Sequence, residues 1–410
     1  MFARLDEQKA LPYGRRSAVN AGSAPMQHPK TRWSNTTIAI LGAIACATIF
    51  ALTIGLTFPL LSFVLQTQGY SDAAIGFSAA MTPLGVLVAS PVYPRIIRRF
   101  GDWQVVAVCL VATGLVILMM GLWANFAVFL LLRFLLGVFD SGVFIISETW
   151  INQLASTRSR GRIVGLYATS LSTGFGLGPL ILAWTGSESF LPFAIGSACC
   201  ALALVVVLAV RRAAPGMHRK QASSSFSFLR LAPTLLVAIA VFAFWDAAVL
   251  ALFPIYGMSF GMTASFASLA LAVCILGNTL LQFPIGWLAD LTSRRAVLIL
   301  CCCVAVGGAL LLPVISDAKA VLLPVLFVWG AAAGGVYTMA MTELGDRFSG
   351  SDLVAGNAAF AVAYGVGGLV GGPSIGGAMH AFGPSGFSGS LAIVFGATAV
   401  FAFWRRHRAR

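Results

Sequence analysis

Three ionisable residues, Arg133, Asp140 and Asp246, lie inside long apolar runs of this chain. An uncompensated charge there costs at least about 2.5–3.5 kcal/mol at the centre of a bilayer. Residues this costly do chemistry or orient helices: a guanidinium can hold a hydrogen-bonding or anionic group, and a buried carboxylate can take up and release a proton. Arg133 and Asp140 are seven residues apart, which returns to nearly the same face of a helix but separates the backbones by about 10 Å. Each therefore needs a partner from another helix, or a solute. Aromatic side chains stand nearby: Phe242, Phe244, Trp245 and Tyr256 flank Asp246, while Tyr167 and Tyr364 carry hydroxyls that need a partner inside hydrocarbon. Trp245 and Tyr364 are the candidates for substrate contact, and most of the 30 phenylalanines are expected to pack or to face lipid.

Other chemistries find no support in residue spacing. Cys46, Cys109, Cys199, Cys200, Cys274, Cys301, Cys302 and Cys303 all fall in apolar runs without a CxxC or Cys/His pattern, as expected of small packing residues. There is no Walker loop, HExxH, EF-hand or Ser/His/Asp constellation, so no cofactor or metal is expected. An embedded enzyme would need clustered nucleophiles or ligands, whereas His28, His218, His380 and His407 lie in tails, loops or at a span end.

The elements that must position these residues are membrane spans. The chain is 59% hydrophobic and 10% charged, against roughly 25% charged in a globular domain. Apolar runs fall at 36–65, 73–94, 104–122, 126–149, 163–184 and 190–210, then at 231–256, 263–284, 295–315, 320–343, 354–379 and 386–404. Each is near the about 20 residues that cross a bilayer. The expected fold is an all-α membrane protein of twelve transmembrane helices.

The net charge of +13 could suggest a nucleic-acid partner, but its placement argues otherwise. With the N-terminus inside, 24 of the 26 Lys and Arg fall on one side of the twelve spans; only Arg133, within a span, and Lys319, in an outer loop, do not. This asymmetry follows the positive-inside rule. It predicts a multi-pass protein of a bacterial inner membrane with both termini cytoplasmic, a lipid environment and no nucleic-acid partner.

Two halves of the chain repeat. Pro59 aligns with Pro254, Gly69 with Gly261, Gly85 with Gly277, Pro94 with Gly286 and Glu148 with Glu343, at offsets of 192 to 195 residues. Such duplication builds many secondary transporters, with the substrate site between the halves. The expected organisation is a disordered cytoplasmic tail over 1–35, a six-helix bundle over 36–210, a linker over 211–230, a second bundle over 231–404 and a tail over 405–410. Met26 is an alternative start to Met1. No cleavable signal peptide is expected before the first, long span.

The segment Gly286-Trp-Leu-Ala-Asp290-Leu-Thr-Ser-Arg294-Arg295 resembles the GxLaDrxGrR signature of the major facilitator superfamily. Its counterpart, PRIIRRFGDW from Pro94, keeps Arg99-Phe100-Gly101 but exchanges charges, with Arg98 in place of Asp290 and Asp102 in place of Arg294. Arg133-Phe-Leu-Leu-Gly137 resembles the family's RxxxG element. Its spacing to Glu148 in SETWIN, followed by TRSRGR, is similar to a poorly characterised group of bacterial permeases. Gly368 to Gly377 fits GxxxGPxxGG, a pattern that proton-driven exporters of the family carry in span 5; here span 5 has only Gly174 to Gly178 and Pro179. Close helix packing is the expectation for Gly178, Pro179, Gly372 and Pro373.

The resemblance implies a central cavity lined by spans 4 and 7. Arg133 and Asp246, at similar depth, would face it and pair when it is empty, with Asp140 the candidate proton carrier. It also implies cytoplasmic latches that form when the inner side is closed, with Arg98 or Arg99 reaching Glu148 and Arg294 or Arg295 reaching Glu343; ordinary solvated interfacial acids are the alternative. The expected function is a monomeric, proton-coupled transporter of a small organic solute working by alternating access, towards uptake, with a vitamin-like heteroaromatic such as riboflavin as substrate. Proton-driven efflux of drugs or metabolites and a transporter-like nutrient sensor are the alternatives.

Overall fold

With no water to satisfy them, the backbone groups of an apolar segment in hydrocarbon must bond within the segment, and these runs fold as helices. The computed structural model describes residues 35–123, 125–154, 160–212, 232–348 and 350–408. Twelve helices are long and apolar enough to cross a membrane, and no strand occurs among the described residues. Spans 1 to 6 are Thr36–Thr67, Asp72–Ala89, Asp102–Leu122, Phe126–Leu154, Arg162–Thr185 and Leu191–Val210. Spans 7 to 12 are Pro233–Ser259, Ala264–Leu291, Arg294–Ile315, Lys319–Arg347, Ala359–Phe382 and Ser385–Arg405. The expected N-terminal tail, the choice of Met26 and the linker fall outside the described residues, apart from Asn35, Arg211 and Arg212.

Two loops of the sequence reading are helical. Span 8 continues as helix through Gly286 and Asp290 to Leu291. Tyr93–Phe100 forms a short helix with proline in its first turn, where the missing N–H costs nothing. Spans 4 and 10 also extend past their apolar cores to Leu154 and Arg347, carrying polar residues at their C-terminal ends.

The sequence repeat is a repeat of contacts. Gly69 and Gly261 both turn the chain at positive φ, 80° and 75°. The next helices are capped alike, with Ser71 accepting from the Ala74 amide and Thr263 from the Phe266 amide. A Cβ on Gly85 would strike the Phe134 carbonyl, and one on Gly277 the Phe327 carbonyl; Gly137 abuts Thr82, and Gly330 abuts Cys274. Each element of one set lies 192 or 193 residues from its counterpart. Spans 2 and 4 therefore pack backbone to backbone as spans 8 and 10 do. Gly174 and Gly367 repeat the pattern for spans 1 with 5 and 7 with 11, against Thr48 and Ala240.

Across the halves, span 2 packs on span 11 and span 5 on span 8. Gly76, Gly372 and Gly376 bring spans 2 and 11 so close that a Cβ on any of them would meet main-chain atoms of the facing span. Gly178, beside Pro179, does the same against Gly55. Outward, large apolar side chains stay uncovered, among them Phe283 at 85%, Trp184 at 81% and Val314 at 78% exposure, which suits a lipid-facing surface.

Gly277→Val should drive a side chain into the Phe327 carbonyl and destabilise the protein by about 1–3 kcal/mol, read as a lower thermal midpoint in detergent. Gly307→Ala, where a Cβ meets nothing within 4 Å, should leave the midpoint unchanged. Equal midpoints for both variants would contradict the packing described.

Candidate functional site

Asp246 is the middle residue of span 7, thirteen residues from either end. Its carboxylate accepts a hydrogen bond of 2.8 Å from the Tyr364 hydroxyl of span 11. Tyr364 keeps 36% of its surface accessible, so this pair reaches open space within the helical assembly. Rings surround it: Phe242, one turn before Asp246, lies 6.3 Å from Tyr364, 5.1 Å from Tyr337 of span 10 and 5.9 Å from Trp245. Trp245 in turn meets Trp329 edge-on at 5.5 Å. Trp329 donates its indole N–H to the Ala305 carbonyl, but the indole N–H of Trp245, a residue 2% exposed, has no acceptor.

Glu148 stands on span 4 of the other half and is exposed. Ser147 beside it shares a 3.1 Å hydrogen bond with Tyr167 of span 5, and Phe144, one turn earlier, packs 4.8 Å from Phe50 of span 1. Span 4 thus meets spans 1 and 5 here, while Phe242 joins the rings of Tyr337 and Tyr364 into one aromatic set beside Asp246.

Arg133 does not meet Asp246. It is 1% exposed, and its Nη2 donates to the Phe58 carbonyl of span 1 at 3.3 Å while the guanidinium sits 5.4 Å from the Phe58 ring. Its Nε and Nη1 have no partner. The depths differ as well: Arg133 is seven residues from the nearer end of its span and Asp246 thirteen from either end of its own, a difference of about 9 Å along a helix axis. Asp140 is likewise turned into its own half. At 1% exposure it accepts from Thr53 of span 1 at 2.8 Å and Thr113 of span 3 at 3.1 Å, tying three helices together.

At the C-terminal ends of spans 4 and 10 the halves diverge. In the second half, Glu343 pairs with Arg295 at 3.6 Å and with Arg347, while Arg294 pairs with Asp346. These groups and Asp290 line a recess of about 430 Å³. In the first half, Asp102 stands where Arg294 would, and it accepts from the Trp150 indole at 2.8 Å. Arg98 and Arg99 are exposed, Arg99 lying over Phe100. The expected pair with Glu148 is not formed in this structure; Trp103 and Asn152 stand where the second half has Arg295 and Arg347, the partners of Glu343.

Sequence reasoning passed over Tyr337 and Trp329, although the hydroxyl argument made for Tyr364 applies equally to Tyr337. It also passed over Gln282, which accepts from Thr338 at 2.7 Å and donates to the Ala331 carbonyl, binding span 8 to span 10.

The family model of the Major Facilitator Superfamily matches residues 43–342 and 234–410. The chain belongs to this superfamily. Its relatives include YfkF of Bacillus subtilis (strain 168), an uncharacterized MFS-type transporter 26% identical over 329 residues, which span 77% of this chain and 82% of YfkF. YcaD of Escherichia coli (strain K12 / DH10B), another uncharacterized MFS-type transporter, is 27% identical over 62% of this chain and 65% of YcaD. Among solved structures, the nucleoside transporter NupG superposes with a TM-score of 0.71 at 14% identity, covering 89% of this chain and 97% of that one. A bacterial homolog of the human lysosomal transporter Spinster gives 0.71 at 15% identity, covering 90% and 95%. Both likenesses show the fold. The protein is an MFS transporter embedded in the membrane by multiple spans.

In this MFS transporter, the Glu343 pairs fasten the signature segment after span 8 to the end of span 10. Partly exposed pairs of this kind contribute up to about 1 kcal/mol each. Glu343→Gln should therefore loosen the corner, raising the maleimide labelling rate of a cysteine placed at 290 in detergent by about two- to fivefold. An unchanged rate would remove the latch role from Glu343.

Proposed function

We propose that this MFS transporter takes up a small, ring-bearing organic solute by alternating access, driven by protons, from the plasma membrane of a bacterial cell with both termini cytoplasmic. The observation that carries the reading is the Asp246–Tyr364 hydrogen bond at the middle of span 7. It is set among the rings of Phe242, Trp245 and Tyr337. Flat aromatic faces with hydrogen-bonding groups at their edge suit a planar heteroaromatic better than an inorganic ion. A carboxylate at this depth that alternates between two aqueous compartments can carry a proton through the cycle. The incomplete glycine pattern of span 5 supports uptake over export.

Coupling is assigned to Asp246 rather than Asp140, whose two threonine bonds and full burial hold spans 1, 3 and 4 together. In proteoliposomes, Asp246→Asn should abolish accumulation against a gradient while leaving counterflow exchange, because exchange need not move a proton through the empty carrier. Asp140→Asn should act on folding instead, lowering detergent stability by about 1–3 kcal/mol through mispaired threonine hydroxyls. If an uncoupler leaves wild-type accumulation intact, proton coupling is excluded.

A further inference from the structure

Arg133 is a charge closed inside the first half, and it forms no ion pair among the described residues. Its Nη2 donates to the Phe58 carbonyl at 3.3 Å, and the guanidinium lies over the Phe58 ring. Nε and Nη1, which carry three N–H donors between them, meet no acceptor. A guanidinium does not lose its proton inside a protein, so burial cannot be relieved by neutralisation. Asp140, two turns along the same span, gives its carboxylate to Thr53 and Thr113.

A second unpartnered group stands across the same helix crossing. Ser78 of span 2 is 0% exposed, and its hydroxyl has no partner. Buried serines in these spans return the hydroxyl to the carbonyl one turn back, as Ser62 does to Phe58 and Ser268 to Ala264. Ser78 does not. Spans 2 and 4, two crossings apart, run in the same direction and touch where Gly137 abuts Thr82 and Gly85 abuts Phe134. Ser78 and Arg133 lie four residues before Thr82 and Gly137, on the faces that make this contact. A helical side chain leans towards the preceding turn, which carries the guanidinium towards the level of Ser78.

The repeat provides a control for packing. In the second half the same crossing is made by Gly330 on Cys274 and Gly277 on Phe327, and the places of Arg133 and Ser78 are taken by Leu326 and Ala270. Both are 0% exposed. The framework therefore needs no polar group here. What the first half adds is a fixed positive charge and N–H and O–H donors, all without acceptors.

We infer that spans 1, 2 and 4 enclose a site for a small monovalent inorganic anion such as chloride, held by the free N–H groups of Arg133 and by the Ser78 hydroxyl. The Phe58 ring occupies one face of the guanidinium, which leaves its edge to the ion. Water could satisfy the donors but would leave the charge uncompensated at membrane depth, and that is the costly part. Burial of Arg133 to 1% exposure closes the site to a ring-bearing solute. The site lies apart from Asp246 and does not depend on the transport reading.

Thermal midpoints of the purified full-length protein test this in sodium chloride and in sodium gluconate of equal ionic strength, gluconate being too large for the site. Chloride should raise the wild-type midpoint saturably, by about 2–4 °C. Arg133→Leu, with the residue of the second half, should lose the chloride effect and melt no lower in gluconate than the wild type. Ser78→Ala, which keeps the charge, should raise the half-saturating chloride concentration about fivefold with an unchanged midpoint in gluconate. Radiolabelled chloride should bind the wild type, with Ser78→Ala weakened to the same degree; these two measurements decide the matter even where Arg133→Leu fails to fold. Equal wild-type midpoints in the two salts, a chloride shift that persists in Arg133→Leu, or chloride binding untouched by Ser78→Ala would overturn the inference.

Discussion

Close approach of helix backbones is the constraint on which this structure depends. In hydrocarbon, lipid tails are as apolar as leucine, so helices gain little from burying apolar side chains against each other, and association rests on tight van der Waals contact. The chain supplies that contact with glycine. Gly85 and Gly137 join spans 2 and 4, Gly277 and Gly330 join spans 8 and 10, and Gly76, Gly372 and Gly376 form the seam between the halves. Because the seam is made by spans 2 and 11, Tyr364 of span 11 is carried alongside span 7 and meets Asp246.

The polar groups buried among these helices divide by what they touch. Asp140 with Thr53 and Thr113, and Gln282 with Thr338 and the Ala331 carbonyl, are satisfied within one half and fix helix orientation. Arg133 is satisfied in part, by one carbonyl and one ring. Asp246, by contrast, accepts one hydrogen bond from Tyr364, a residue that stays accessible, and retains bonding capacity. Unused capacity at an accessible interface distinguishes a binding group from a structural one more clearly than burial does.

The two halves also show how a duplicated framework acquires a function that the duplication does not dictate. Glu148 and Glu343 occupy corresponding positions, yet Glu343 is locked by Arg295 and Arg347 while Glu148 forms no ion pair among the described residues. The difference traces to the partners: Trp103 and Asn152 stand where the second half has Arg295 and Arg347. Asp102, in place of Arg294, accepts from the Trp150 indole instead.

The twelve spans, their internal repeat and the superfamily resemblance were legible in the sequence, because hydropathy, glycine turns and charge asymmetry are local quantities that hydrocarbon enforces residue by residue. The candidate residues were legible as types: a charge or a tyrosine in an apolar run announces itself. Their partners were not. Arg133 and Asp246 looked matched by charge and depth, yet the rotation of span 4 sends Arg133 to Phe58 and Asp140 to two threonines, while Tyr364 from span 11 and Phe242 with Tyr337 gather at Asp246. Which face of a helix looks into the interface depends on where its glycines let neighbouring backbones approach. That contact joins residues far apart in the chain, so only the tertiary structure decides it.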